Sequence, residues 1–188
     1  MRIRTFVLFY VSLHFSGNLK ACFLITTKCH KMQKTAVFPG SFDPFTIGHE
    51  SVVRRAVGLF DKVIIAVGYN SEKGGYFPLD KRLEWIENVF RDEPVVEITW
   101  FSGLTVDFCR EKKALYILRG LRTSADFEFE RAIAQVNNAM DYNIETVFFL
   151  TRPEHTPINS TIVRDIIRHG GDASRFVPEG VNLGEYKP

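Results

Sequence analysis

Short apolar runs alternate with amphipathic stretches throughout residues 32–188. The apolar runs are typical of buried strands, and they cover Thr35–Phe38, Lys62–Val67, Val95–Phe101, Leu115–Leu118 and Glu145–Leu150. The stretches between them repeat apolar residues at helical spacing and predict helices at residues 48–60, Leu79–Arg91, Leu104–Lys113, Asp126–Met140 and Thr161–His169. This alternation predicts the α/β class: a single Rossmann-like, doubly wound domain with a five-stranded parallel sheet.

The first 31 residues differ from the rest in charge. They carry five basic residues and no acidic one, whereas the remainder carries 19 basic and 22 acidic residues. The apolar run Phe6–Leu13 follows two arginines and resembles the start of a signal peptide. The alternation of apolar runs and amphipathic stretches begins directly after Met32. We therefore favour the interpretation that residues 1–31 are an N-terminal extension outside the native domain, which spans residues 32–188.

Several classes of function are disfavoured. The mildly acidic domain argues against a nucleic-acid partner, and no apolar run is long enough for a spanning helix, which argues against a membrane role. The three cysteines are scattered and form no C-x-x-C pair, as expected for a reducing, cytoplasmic setting. The chain has no G-x-G-x-x-G fingerprint, P-loop, G-x-S-x-G elbow or H-E-x-x-H pair.

The segment Pro39–His49 carries the strongest chemical signal. It follows the first predicted strand, contains Pro-Gly-Ser-Phe-Asp-Pro and ends in Thr46-Ile47-Gly48-His49, a T-x-G-H pattern. A glycine turn that opens a helix lets backbone N–H groups approach a phosphate, and the helix N-terminus favours negative charge. The alternative for the tetrapeptide alone is a simple helix cap with a solvated His49.

Polar segments follow the other strands as well. Arg119-Gly120-Leu121-Arg122 offers two arginines suited to phosphate, and Asn159-Ser160-Thr161 precedes a helix as a second anion-binding turn. Lys73 lies in a glycine-rich loop, and Glu130 could accept from a ribose or an adenine. Each of these segments has a simpler alternative. The arginines could form surface ion pairs with Glu128 or Glu130, and Asn159-Ser160-Thr161 could be an ordinary N-cap. Lys73 and Glu130 could be solvated side chains. Ligands bind beyond the carboxyl ends of parallel strands. Five polar segments are expected there, one after each strand: Pro39–His49, Tyr69–Lys73, Ser102-Gly103, Arg119–Arg122 and Thr151–Thr161.

Together these segments resemble the bacterial phosphopantetheine adenylyltransferase family over about residues 32–180. The T-x-G-H pattern marks the wider nucleotidyltransferase superfamily. The segments that point to this member are Arg119-Gly120-Leu121-Arg122, Asp126-Phe127-Glu128-Phe129-Glu130 and Ile158-Asn159-Ser160-Thr161-Ile162-Val163-Arg164. The sequence departs from the family pattern at two contact positions. Asn159 replaces a serine, and Thr105 occupies a position that is usually apolar.

The resemblance implies transfer of the adenylyl group of ATP to 4′-phosphopantetheine. The products are dephospho-coenzyme A and pyrophosphate, in the penultimate step of coenzyme A synthesis, with Mg²⁺ as cofactor. It implies that His49 stabilises the transition state and that Lys73 and Arg119 assist. The substrate-binding residues that it implies are Ser41, Lys73, Thr105 and Arg119. Those implied for ATP are Ser41, Phe42, His49, Gly120, Leu121, Arg122, Glu130, His155, Thr156, Pro157, Ile158, Asn159, Ser160 and Thr161.

No residue is assigned as a metal ligand, and the resemblance implies a cytoplasmic homohexamer. Two other functions stay open at this point. One is another adenylyl- or cytidylyltransferase of the superfamily, such as a nicotinate mononucleotide enzyme, although the R-G-L-R and D-F-E-x-E segments argue against it. The other is a non-catalytic nucleotide-binding module, although the intact histidine and the basic residues argue for turnover.

Overall fold

The computed structural model describes residues 33–70 and 74–185. Its five strands are β1 (Thr35–Gly40), β2 (Lys62–Gly68), β3 (Val96–Phe101), β4 (Tyr116–Leu121) and β5 (Glu145–Leu150). Its α-helices are α1 (Ile47–Val57), α2 (Leu79–Val89), α3 (Thr105–Glu111), α4 (Ser124–Met140) and α5 (Ser160–Arg168). Three short 3₁₀ helices span Pro153–His155, Ser174–Phe176 and Leu183–Glu185. The predicted extension at residues 1–31 lies outside the described residues.

The five strands form one parallel sheet in the order β3-β2-β1-β4-β5, which confirms the predicted fold class. The chain builds the sheet outward from β1 through β2 to β3. It then crosses back to place β4 on the other side of β1. The direction of winding therefore reverses between β1 and β4, where an open α/β sheet leaves a crevice for ligands.

Alternate residues of the central strands enter two separate cores. Ala36 and Phe38 of β1 pack with α1 and α2 on one face of the sheet. Val37 of β1 packs on the opposite face, with α3. The run Val63–Val67 of β2 is buried throughout, as a strand covered on both faces requires. The sheet thus holds the ends of its strands rigidly at one edge.

Strand β4 is longer than its apolar run predicts. The predicted strand ends at Leu118, but Arg119, Gly120 and Leu121 also pair with β5, opposite Phe148, Phe149 and Leu150. Backbone hydrogen bonds to a neighbouring strand extend β4 past the break in the apolar run at Arg119 and Gly120. Arg119 is therefore held by the sheet itself and does not lie in a loop.

Candidate active site

A cavity of about 320 Å³ opens at the carboxyl ends of β1, β4 and β5. Eleven of the residues predicted to bind ATP or the second substrate line it: Ser41, Phe42, His49, Arg119, Gly120, Arg122, Glu130, Ile158, Asn159, Ser160 and Thr161. The other lining residues are Phe38, Pro39, Gly40, Thr46, Gly48, Val52 and Thr151. The topology therefore gathers the segments after β1, β4 and β5 around one space.

The segments after β2 and β3 contribute to a different place. Tyr69, Ser102 and Gly103 line a separate open cavity together with Trp100 and Leu104. The described parts of all five segments follow strands of one parallel sheet and so lie at the same edge, as predicted, but only the segments after β1, β4 and β5 line the cavity of about 320 Å³. The reason is the strand order, because β2 and β3 lie on the far side of β1 from β4.

His49 lies in the first turn of α1, and its ring is fixed by a backbone contact. The Thr46 backbone N–H donates to Nδ1 of His49 at 3.0 Å, and Thr46 Oγ1 lies 3.1 Å from the same nitrogen. Because Nδ1 accepts a hydrogen bond, the neutral ring carries its proton on Nε2. The helix-cap alternative is correct in that Nδ1 caps the helix, but the ring is packed against Phe42 and Phe45 and is not solvated. Nε2 is left to donate.

The imidazole of His49 is uncharged at neutral pH. Burial, together with the positive charges of Arg122 and Arg119, lowers the pKa of His49 to about 4. Its neighbours are apolar rings: Phe42 lies edge-on with ring centroids 5.2 Å apart, and Phe45 lies at 5.4 Å. An uncharged ring can donate through Nε2 without repelling the arginines beside it.

The turn after β1 is conformationally strained. Phe42 has a φ of +45°, a left-handed conformation that costs a residue with a side chain roughly 1–3 kcal/mol. Its ring occupies the space that a side chain on Gly40 would need, since a Cβ there would lie 2.8 Å from the ring. Glycine at position 40 is therefore required for Phe42 to reach His49.

Asp43 ties this turn to the loop that follows β2. Its carboxylate accepts hydrogen bonds from the backbone N–H groups of Tyr76, at 2.8 Å, and Phe77, at 2.9 Å. Arg164 of α5 donates to the backbone oxygen of Asp43. The turn is thus fastened to elements on two sides.

Arg119 and Glu130 form a bidentate ion pair in the cavity wall. Nε of Arg119 donates to Oε2 of Glu130 at 2.7 Å, and the NH2 group of Arg119 donates to Oε1 of Glu130. Arg119 also donates to the backbone oxygen of Pro39 at 2.8 Å. The ion-pair alternative is correct for this arginine, and the pair lies inside the predicted site.

Pro39, Arg119 and Glu130 also line a second cavity of about 170 Å³. Thr105, which the resemblance assigns to the substrate, lines this second cavity, as does Asn137. The two cavities therefore share one wall, made by the ion pair and Pro39. Asn137 was not named from the sequence; its position on the same face of α4 as Glu130, two turns away, was the available signal.

The start of α5 completes the first cavity. The Asn159 side chain accepts from the backbone N–H of Ile162 at 2.9 Å, so the N-cap alternative is correct for it. Ser160 donates to the backbone oxygen of Pro44 at 2.9 Å and thereby joins α5 to the first turn. Arg122 pairs with Asp126 of α4 at 3.1 Å. The helix N-terminus faces the cavity and favours an anion there.

Some of the predicted residues do not line either cavity. Leu121 is buried and lines neither cavity. His155, Thr156 and Pro157 lie in and after the 3₁₀ helix and also line neither cavity. Lys73 lies outside the described residues. Among residues 33–70 and 74–185, no cluster of three or more His, Cys, Asp or Glu side chains is arranged to hold a metal ion. The helices in these ranges include none with the length and apolarity needed to span a bilayer.

Residues 37–166 match the family model described as cytidylyltransferase-like. A phosphopantetheine adenylyltransferase of Flavobacterium johnsoniae is 49% identical over 150 residues, which cover 80% of this chain and 98% of that protein. The chain belongs to the phosphopantetheine adenylyltransferase family. The same enzyme of Flavobacterium psychrophilum is 50% identical and that of Lachnoclostridium phytofermentans 44% identical, over 80% and 79% of this chain and 99% and 91% of those proteins.

Solved structures show the same fold at lower identity. A bifunctional NMN adenylyltransferase/ADP ribose pyrophosphatase from Francisella tularensis superposes with a TM-score of 0.61 and 18% identity. The match covers 78% of this chain and 45% of that one. At this identity the likeness concerns the fold alone. The nicotinate mononucleotide alternative therefore gains nothing from it, whereas the family membership argues against that alternative.

Proposed function

We propose that the chain transfers the adenylyl group of ATP to 4′-phosphopantetheine, giving dephospho-coenzyme A and pyrophosphate. Membership of the phosphopantetheine adenylyltransferase family supports this reaction. The observation that carries it is the pair of adjoining cavities, which share Pro39, Arg119 and Glu130. A transfer between two substrates requires two binding spaces that meet where the bond is made.

The two cavities suit different substrates. The larger one combines His49, Arg122 and the N-terminus of α5, which favour the phosphates of ATP. The smaller one is lined by Ile133 and Ala134 as well as Asn137, which suits a mixed apolar and amide-bearing arm such as pantetheine. Arg119 lies between them, where it can bind the terminal phosphate of the acceptor.

The reaction is a direct displacement at phosphorus. An oxygen of the acceptor phosphate attacks the α-phosphorus of ATP, and the bond from that phosphorus to the bridging oxygen of pyrophosphate breaks. Nε2–H of the neutral His49 donates to an oxygen of the α-phosphate as negative charge grows on it. No protein nucleophile is needed, so catalysis rests on positioning and on hydrogen bonding to this charge.

The test is a pyrophosphate-release assay with ATP and a panel of acceptors. We expect turnover with 4′-phosphopantetheine and none with nicotinate mononucleotide or with no acceptor. Turnover with the mononucleotide alone would assign the chain to another reaction of the superfamily. ATP binding without any turnover would favour the non-catalytic module.

Mg²⁺ is proposed as the cofactor, carried by the nucleotide. Mg²⁺ prefers six oxygen ligands and is commonly held by substrate phosphates together with one or two carboxylates and water. The lack of a three-residue acidic or histidine cluster in the described ranges fits an ion that enters with ATP. Bound there, Mg²⁺ would neutralise phosphate charge. Chelation by EDTA should abolish turnover, and added Mg²⁺ should restore it.

A cytoplasmic homohexamer is also proposed. None of the residues of α4 is buried, and one stripe of that helix exposes apolar side chains. The exposed fractions are 67% for Phe129, 36% for Ile133, 60% for Val136 and 40% for Met140. Their spacing of four, three and four residues is that of a helix-packing seam, which supports association of like chains. The cytoplasm is proposed because ATP is produced there.

A further inference from the structure

Arg82 of α2 is buried to an unusual degree for an arginine. Only 3% of it is exposed, and burial lowers the pKa of its guanidinium, with Asp43 and Tyr69 partly offsetting that shift. Its Nε is also buried, with no hydrogen-bond partner among the described residues. A buried charge with an unsatisfied N–H is costly, and an apolar side chain of similar volume would avoid that cost. The position therefore calls for an explanation beyond packing.

Among the described residues, the side chain of Arg82 donates a hydrogen bond to the turn after β1. Its NH1 group donates to the backbone oxygen of Ser41 at 2.7 Å. Ser41 precedes Phe42, whose left-handed backbone is strained and whose ring lies edge-on against His49. Arg82 lines neither the larger cavity, proposed for ATP, nor the smaller cavity, proposed for the acceptor.

The loop after β2 is packed tightly onto the same arginine. A Cβ on Gly75 would lie 3.2 Å from NH2 of Arg82, so the loop backbone approaches closely only because residue 75 has no side chain. The guanidinium therefore sits between this loop and the turn after β1. A displacement of Arg82 would therefore also displace the loop after β2 and the turn after β1.

We propose that Arg82 is a positioning residue, which holds the Ser41–Phe42 turn in its strained conformation and so fixes the orientation of the His49 imidazole. This role rests on the proposed function. Arg82 acts through Ser41 and Phe42 and touches no reacting atom. Without the hydrogen bond from Arg82 to Ser41, the turn can relax and Phe42 can move away from His49. Nε2 of His49 is then no longer held in the orientation that donates to the α-phosphate.

The kinetic test replaces Arg82 with methionine, which keeps most of the length and removes the donor. For Arg82→Met we expect kcat to fall about 10-fold, the equivalent of one hydrogen bond, while KM for ATP and for 4′-phosphopantetheine changes less than about threefold. Arg91→Met is the matched control, because Arg91 is exposed and its side chain donates to Asn88, near the end of the same helix. An unchanged kcat in folded Arg82→Met would overturn the proposal.

A double-mutant cycle separates positioning from general damage. If Arg82 acts through His49, then adding Arg82→Met to His49→Ala should change kcat less than about twofold. A full 10-fold loss in that background would overturn the proposal. Arg82→Lys, whose ammonium can still donate to Ser41, should keep more of kcat than Arg82→Met. If the methionine variant does not fold, Arg82→Gln, too short to reach Ser41, takes its place in the cycle.

An NMR titration of the His49 ring tests the proposal without any acceptor. In Arg82→Met the pKa of His49 should rise from about 4 toward its ordinary value, because the ring packing that buries it loosens. Arg82→Lys keeps the positive charge and serves as the electrostatic control. An unchanged titration would overturn the positioning role. Lack of wild-type turnover with 4′-phosphopantetheine would instead overturn the proposed reaction and leave this readout intact.

Discussion

Single side chains in this site serve structure and chemistry at once. His49 accepts from the Thr46 backbone with Nδ1 and leaves Nε2 as a donor, so capping α1 also sets the tautomer. The sequence pattern predicted His49 and its helix start. It could not predict the lowered pKa, because this depends on Phe42, Arg119 and Arg122 meeting around the ring.

The role of the Nε2 proton can be isolated with His49→Asn. The asparagine oxygen can replace Nδ1 as acceptor for Thr46, but nothing replaces the Nε2 donor. We expect kcat to fall about 100-fold with little change in KM for ATP, the usual effect of removing one transition-state donor. Steady-state kinetics decide it, and a near-normal kcat would remove His49 from the mechanism.

The lowered pKa of His49 also makes stability depend on pH. His49 of the unfolded chain binds a proton below about pH 6.5, whereas His49 of the folded chain binds one only below about pH 4. The free energy of unfolding therefore falls as pH decreases through this window, by about 2 kcal/mol from pH 7 to pH 5. Urea unfolding at both pH values should show this loss in the wild type and not in His49→Asn. Equal losses in both proteins would contradict the assignment, since the other histidines are common to both.

At the scale of elements, the pattern predicted all five strands and five helices, whereas their ends depended on contacts. β4 extends through Arg119 and Gly120 because β5 pairs with it. α4 begins at Ser124 and not at Asp126, because Thr123 caps it. An apolar period marks the buried part of an element, but hydrogen bonds to neighbours or caps decide where it stops.

The cap of α4 gives a stability prediction. The Thr123 side chain accepts from the Asp126 backbone N–H at 3.2 Å. Thr123→Ala should lower the free energy of unfolding by about 1 kcal/mol, because that N–H loses its partner. Chemical denaturation measures it, with Ser124→Ala as the neighbouring control. A loss below about 0.3 kcal/mol would show that the cap does not stabilise the helix.

At the scale of the molecule, the sheet order decides where the site lies. The order β3-β2-β1-β4-β5 places β4 and β5 on one side of β1 and places β2 and β3 on the other side. Tyr69 and Ser102, which follow β2 and β3, therefore line another cavity. An open α/β sheet leaves a crevice where its winding reverses, here between β1 and β4.

The exposed stripe of α4 gives a prediction for the assembly. Val136→Glu introduces a charge at a position that is 60% exposed in the single chain. If that stripe is the proposed interface, the buried charge should dissociate the oligomer, because an unpaired charge in an apolar contact is costly. Light scattering after gel filtration should show a hexamer for the wild type and a smaller species for the variant. Glu128→Gln, on another side of α4, is the control, and an unchanged variant mass would exclude this face.

The sequence by itself determined the order of the elements, the α/β class and the chemical groups placed after each strand. Local periodicity and the turn residues carry that information, as Pro39–His49 shows. The tertiary structure alone decided that Arg119 pairs with Glu130 and so joins two cavities, and that Arg82, which no motif marked, supports Ser41. The physical reason is that strand neighbours and buried ion pairs arise from contacts between distant residues, and no local period records which distant residues will meet.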